Sequence, residues 1–207
     1  MKKVIAIAAL AGAATVANAQ SMKFYWTVDG NRTNNYKFDN PGDSASISLW
    51  TEWNPSEVGF AGSIFSIADL SGNSFFGTNG VDTDPNNGNG RNPNLSALSG
   101  DNGTNQGDRL DLIDTFQLPP FFNPGFDASN PMLLYTMGVT AGTEGTYSLQ
   151  RVAANNGTFT SDVYIDTFGS SVPYQADDNK LNVTVSPTPS SAVLLGVGGL
   201  VAARRRR

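Results

Sequence analysis

The sequence contains no cysteine and no histidine, and only three glutamates, Glu52, Glu57 and Glu144. Without cysteine there is no disulfide framework, no thiolate zinc site and no thiol nucleophile. Without histidine, Ser-His-Asp and Cys-His catalysis and imidazole metal sites are excluded. Glycoside hydrolysis passes that filter, because it needs only two carboxylates at a set separation. The glutamates serve it poorly. Glu144 falls in an expected hairpin turn, too exposed for a general acid. Glu52 and Glu57 meet only if the chain folds back at Asn54-Pro55. The chain is therefore read as having no enzymatic activity.

Basic residues are scarce between the two ends. Lys2, Lys3 and Arg204 to Arg207 account for six of the 13 Lys and Arg residues, leaving seven against 18 acids, a net charge of −11 for the middle of the chain. Phosphate binding wants a basic stripe, so this balance argues against nucleic acid as a partner. An acidic surface favours solubility and attracts divalent cations.

Helical periodicity is also missing from the middle, where Gly, Asn, Ser, Thr and Asp abound. Short β-rich runs separated by turn clusters predict an all-β fold, a two-sheet antiparallel β-sandwich of about eight strands. The expected strands cover 22–28, 44–53, 60–70, 110–118, 131–140, 145–153, 158–168 and 181–185. In 44–53, Ala45, Ile47, Leu49, Thr51 and Trp53 form the apolar face, and Ser44, Ser46, Ser48, Trp50 and Glu52 the polar one. The run 60–70 is apolar on both faces, as in a strand buried between layers. In 131–140, Leu133, Tyr135, Met137 and Val139 share a face. Val163 and Ile165 share one in 158–168. Asn156-Gly157 predicts a hairpin turn. Breakers crowd residues 71–107, which predicts a long polar loop, functional or mobile.

Both ends carry addresses. Met1-Lys2-Lys3, an apolar run from Val4 to Val16, and Ala17-Asn18-Ala19 form a secretory signal peptide over 1–19, with Gln20 as the first mature residue. Signal peptidase is the implied partner; a buried N-terminal helix is the competing reading. The other end, 187–207, holds Pro187-Thr188-Pro189, an apolar run from Ser191 to Ala203, and Arg204, Arg205, Arg206 and Arg207. A helical span needs roughly 20 apolar residues. This run is shorter, and Gly196, Gly198 and Gly199 weaken it by about 1 kcal/mol each relative to alanine. The arginines resist crossing. The segment reads as a short hydrophobic helix inserted transiently into the inner membrane, then cut; a lasting anchor is the alternative.

This tripartite tail resembles the PEP-CTERM sorting signal of Gram-negative-type bacteria, with Thr188 where that family usually has Glu. The resemblance implies processing by an exosortase and routing to the cell surface or extracellular matrix, often beside exopolysaccharide. Between the two addresses, residues 20–186 form one domain's worth of chain. Its runs Leu-Trp-Thr-Glu-Trp-Asn-Pro (49–55) and Gly-Phe-Ala-Gly-Ser-Ile-Phe (59–65), with the later Met-Gly-Val-Thr strand and Gly-Thr-Glu-Gly-Thr turn, resemble cohesin-type extracellular sandwiches.

Two sets of residues in the domain are candidates for binding. Alternation puts Trp50 and Glu52 on one face, where an indole can stack on a sugar ring and a carboxylate can accept hydroxyl hydrogen bonds. Packing of Trp50 under the long loop and a solvated Glu52 is the alternative. Asp82, Asp84 and Asn86 place oxygen donors at alternate positions, like a calcium loop. Asn87 and Pro93 stand where an EF-hand needs Gly and Glu, so the expectation is loose calcium binding, with Asp101 or Asp108 assisting, or an ordinary polar loop. Apart from calcium no cofactor is expected. Asp108, Asp111 and Asp114 read as solvated acids. The whole chain reads as an exported, non-catalytic surface or matrix protein with a structural or adhesive role; a carbohydrate-binding module using Trp50 and Glu52 is the alternative.

Overall fold

The computed structural model describes residues 21–95 and 101–187. The expected signal helix and C-terminal helix, with the sorting-signal residues beyond Pro187, lie outside them. Fifteen strands appear among the described residues: β1 (Ser21–Val28), β2 (Asn31–Arg32), β3 (Asn35–Phe38), β4 (Ser44–Glu52), β5 (Gly59–Asp69), β6 (Gly80–Asp82), β7 (Gly90–Arg91), β8 (Asn102–Asn105), β9 (Arg109–Phe116), β10 (Met132–Thr140), β11 (Gly145–Val152), β12 (Thr160–Tyr164), β13 (Ser171–Pro173), β14 (Gln175–Asp178) and β15 (Leu181–Val185). One short helix, α1 (Phe75–Thr78), follows β5.

The strands form two sheets. The seven-stranded one runs β14-β1-β4-β10-β6, with β2 added to β1 and β7 to β10. The eight-stranded one runs β13-β12-β5-β11-β15-β3, with β9 on the other edge of β5 and β8 beyond it. Even positions of β1 (Met22, Phe24, Trp26, Val28) and odd positions of β4 (Ala45, Ile47, Leu49) meet β5, β10, β11 and β15 residues in one core. Each large side chain buried there contributes about 1.5–3 kcal/mol. As expected, β5 is buried along nearly its whole length.

Several expectations need correcting. The sandwich is not purely antiparallel: β1 pairs in parallel with β14, and β15 with β3. Both exceptions lie where the chain changes sheets, so the arriving strand joins the outer edge in the direction the crossover leaves it. β11 and β12 do not form a hairpin around Asn156-Gly157. They divide one edge of β5, with β12 on its first half and β11 on its second. A register shift between Leu133 and Tyr135 turns Leu133 outward and leaves Leu134, Tyr135, Met137 and Val139 in the core. Ile165 is exposed while Val163 is buried, because β12 stops at Tyr164. Segment 71–107 is not a bare loop. It carries α1 and β6 to β8, and β6 and β7 complete the outer edge of β10. Asp111 is buried rather than solvated, accepting hydrogen bonds from Ser66 Oγ at 2.6 Å and Asn155 N at 3.0 Å.

One polar cluster ties the sheets together. Arg151 of β11, 2 % exposed, donates to both carboxylate oxygens of Asp178 at 2.7 and 3.3 Å. It also donates to Ser63 Oγ and Ser161 Oγ, at 2.9 and 2.8 Å. Its guanidinium lies 3.5 Å from the Phe24 ring centroid and 4.4 Å from that of Phe159. Strands from both sheets thus converge on one buried cation.

Candidate functional site

The site builds outward from the pleat of β4. Because its odd positions enter the core, Ser46, Ser48, Trp50 and Glu52 stand on the outer face of the seven-stranded sheet. Register sets Tyr25 of β1 on one side of Trp50 and Leu133 of β10 on the other. Lys23 pairs with Glu52 in the next row. The sequence reading thus placed Trp50 and Glu52 on a common face, and the structure brings them there. Trp50 is half-buried, its Nε1 donating to Thr27 Oγ1 at 3.0 Å. Further along, Ser48 pairs with Thr136 at 3.0 Å and Ser44 with Thr140 at 2.9 Å, so hydroxyls line the face.

Arg32 and Tyr25 were not singled out from sequence. The turn Asp29-Gly30, with φ of 49° and 78°, has the left-handed torsions of a type I′ hairpin. It returns β2 so that Arg32 sits opposite Thr27. From there the guanidinium covers the Tyr25 ring at 3.7 Å and reaches Glu52 at 3.5 Å. Such an exposed ion pair adds little stability; it sets the Arg32 guanidinium beside the Glu52 carboxylate on the outer face. Burial pushes the Tyr25 hydroxyl pKa up, Arg32 opposes that, and Glu52 adds to it. The Asp-Gly pair was the signal that could have located Arg32.

A wall rises along the far side of β10. There Gly90 and Arg91 pair with Thr136 and Tyr135. Between this wall and the sheet lies a cavity of about 400 Å³, lined by Asn89, Arg91, Asn92, Asn102, Leu133 and Thr136 among others. That size falls in the range of small-molecule sites. Leu133 borders both the cavity and Trp50. The wall is held by its own amides. Asn92 donates to the Leu133 carbonyl at 2.9 Å, and Asn102 accepts from Arg91 N at 2.7 Å and donates to the Thr83 carbonyl at 2.8 Å. Gly90, at φ 86°, keeps this approach open, since a Cβ there would strike the Asn102 amide. A shallower hollow of about 650 Å³ continues along the face beside Asp29, Ser46, Asp82 and Thr140.

The residues considered for calcium lie at the base of the wall. Asp82 Oδ1 accepts from Asp84 N at 2.8 Å, and its Oδ2 from the side chains of Asn87 and Asn89 at 2.8 and 3.1 Å. Asp84 Oδ1 accepts from the backbone N and the side-chain Nδ2 of Asn86, at 2.9 and 2.8 Å. These donors, the Asp84 N–H first, hold the Asp82 carboxyl below its usual pKa. Asp108 pairs with Arg109 at 3.7 Å. Among the described residues no group of three or more acids gathers as a metal site.

No family model and no curated protein matches the chain. Solved structures do. The seventh ScaB type I cohesin from Pseudobacteroides cellulosolvens superposes with a TM-score of 0.51 at 10% identity, covering 82% of this chain and 93% of that one. A type II cohesin domain from the cellulosome of Acetivibrio cellulolyticus gives 0.48 at 10%, covering 79% and 95%. A type III cohesin module from the cell-surface anchoring scaffoldin ScaE of Ruminococcus flavefaciens gives 0.46 at 7%, covering 81% and 88%. The first of these carries the conclusion, and it concerns fold: the described residues form a cohesin-like β-sandwich.

Proposed function

We propose that this chain is a non-catalytic protein of the cell surface or extracellular matrix, with an adhesive or structural role, and that the outer face of the seven-stranded sheet is its contact surface. One observation carries the reading: the outer face presents Trp50 and Glu52 together, and Leu133, the cross-strand partner of Trp50, borders an amide-walled cavity. The cohesin-like fold is compatible with a recognition module, an argument by analogy. The termini support export through signal peptidase. Sorting by an exosortase-like enzyme follows from the PEP-CTERM-like tail of 187–207, after transient insertion in the inner membrane. Matrix isolated from the cells that make the protein retains the wild-type chain and releases Trp50→Ala at least about tenfold more readily. Equal retention of both would refute the outer face as the contact surface. Mass spectrometry of the surface-bound protein finds its C-terminus near Pro187 to Ser191; an intact Arg207 would rule out cleavage.

A second reading names exopolysaccharide as the ligand. The cavity bordered by Leu133, the cross-strand partner of Trp50, favours it, since sugar sites pair a ring face with amide and carboxylate hydrogen-bonding groups. Affinity electrophoresis in polysaccharide gels tests it: migration is retarded for wild type and restored by Trp50→Ala, with a smaller effect from Glu52→Gln. No retardation in any polysaccharide of the matrix would remove this reading.

A further inference from the structure

A second surface stands apart from the outer face. Phe121, Phe122 and Phe168 are 64%, 61% and 67% exposed. They are nonetheless grouped: Phe121 lies 5.1 Å from Phe122 and 5.0 Å from Phe168, centroid to centroid. Ile165 is also exposed, in the turn that carries Phe168. At about 200 Å² per aromatic side chain, three rings so exposed present roughly 400 Å² of apolar surface. That lies in the range of the largest patch on a monomer, which is often functional.

Both loops are rigidly held. Gln117, fully buried, donates from Nε2 to the Phe60 and Asp127 carbonyls at 2.8 and 2.9 Å and accepts from Asp127 N at 3.0 Å. That clamps the base of the loop that presents Phe121 and Phe122. Phe126 packs on Gly59 and against Tyr164, whose hydroxyl donates to the Gln117 carbonyl at 2.9 Å. In the neighbouring turn, Asp166 Oδ1 accepts from Phe168 N, Gly169 N and Ser170 N at 2.9, 2.9 and 3.0 Å. Phe121 N donates to the Thr167 carbonyl at 3.0 Å and joins the loops. Exposed rings on a fixed frame lose little entropy on binding.

The position and charge of the patch narrow its occupant. The patch lies at the Gly59 end of β5, where Tyr164 pairs with Gly59. The chain leaves β15 at the opposite end, where Val185 pairs with Gly145. At about 3.3 Å per residue along β5 and β11 these ends are roughly 45 Å apart, so the patch lies at the end of the sandwich remote from Val185. Segments 116–131 and 157–173 hold Asp127, Asp162 and Asp166 and no lysine or arginine. A stable interface between copies needs about 800 Å² per partner, twice this patch, and such an interface would bring two Asp166 carboxylates together with no lysine or arginine in these segments to pair them. A short segment of another protein fits the area.

We propose that Phe121, Phe122 and Phe168 form a docking tip for a protein segment that combines apolar anchor side chains with flanking lysine or arginine. The segment would set its anchors among the three rings and its cations toward Asp166, in the turn that carries Phe168. A random peptide library panned on the full chain tests this. The expected result is enrichment of peptides with aromatic or aliphatic residues beside Lys or Arg. A synthetic peptide from that set binds at least about tenfold more weakly to Phe121→Ser/Phe168→Ser, and several-fold more weakly in about 0.5 M salt, where charges are screened within a few ångströms. Gln117→Ala keeps the rings, loosens their frame and weakens binding as well, while Trp50→Ala leaves it unchanged. Four results would overturn the proposal: no enrichment; peptides that bind the double variant as well as wild type; Phe-dependent self-association in sedimentation; or Phe-dependent binding to phosphatidylcholine vesicles with no peptide binding. Circular dichroism of each variant confirms that binding is compared between folded proteins.

Discussion

Substituting Arg151 by methionine should be among the most damaging single changes in this molecule. The guanidinium is almost fully buried, donates to Asp178, Ser63 and Ser161, and stacks on Phe24. Burial lowers the arginine pKa and Asp178 opposes that, so the charge depends on its partner. Methionine keeps most of the volume but strands the Asp178 carboxylate, whose side chain is 12% exposed. Breaking a buried pair from one side costs about 3–5 kcal/mol, a large part of a total stability of about 5–15 kcal/mol. At about 2–4 °C per kcal/mol for a domain of this size, a loss near 4 kcal/mol lowers Tm by roughly 8–16 °C. Urea titration of Arg151→Met, Asp178→Leu and the double variant forms a double-mutant cycle. The double variant, with neither charge left, should recover much of the loss, giving a coupling of at least about 1.5 kcal/mol, within the range for contacting residues. A single-variant loss below about 1 kcal/mol, or a coupling near zero, would refute the view that this ion pair fastens the two sheets.

Two other changes follow from the same structure. Asp69 accepts from Ser71 N, Ser71 Oγ, Phe75 N and Ser148 N. Burial raises its pKa, but the donors outweigh burial and the net shift is downward. Its stabilising contribution is therefore complete above the unfolded value of about 3.9 and is lost as pH falls through the lower folded value. Asp69→Asn should cost about 1–3 kcal/mol at neutral pH and flatten the fall of stability below about pH 4, read from urea midpoints across pH; an unchanged acid slope would contradict this. Gly142 approaches the Thr78 carbonyl so closely that a Cβ would collide with backbone. Gly142→Ala should destabilise by about 1–3 kcal/mol in thermal melts, and a neutral outcome would show that α1 shifts freely.

Local patterning was legible where one physical rule governs. The alternation of β4 placed Trp50 and Glu52 correctly because nothing interrupts its pleat. The same rule failed in β10, where the register shift after Leu133 turns that side chain outward to border the cavity. Periodicity carries no mark of a bulge. Breaker residues in 71–107 suggested one long loop, yet α1 and β6 to β8 lie within it; β6 and β7 have only three and two residues and draw their pairing from β10. Asp111 reads as a solvated acid and nothing in the sequence marks Arg151, since their burial depends on partners distant in sequence, Ser66 and Asp178. Nothing in the sequence marks the Phe121-Phe122 pair. What makes it notable is Phe168, brought beside it by the turn that Asp166 holds.

Retention of the purified chain by extracellular matrix, compared between wild type and Trp50→Ala, tests the central claim most directly. The outer-face account predicts that wild type is retained and that Trp50→Ala is released at least about tenfold more readily, with thermal stability changed too little to explain the loss. Indistinguishable retention of the two proteins would contradict it.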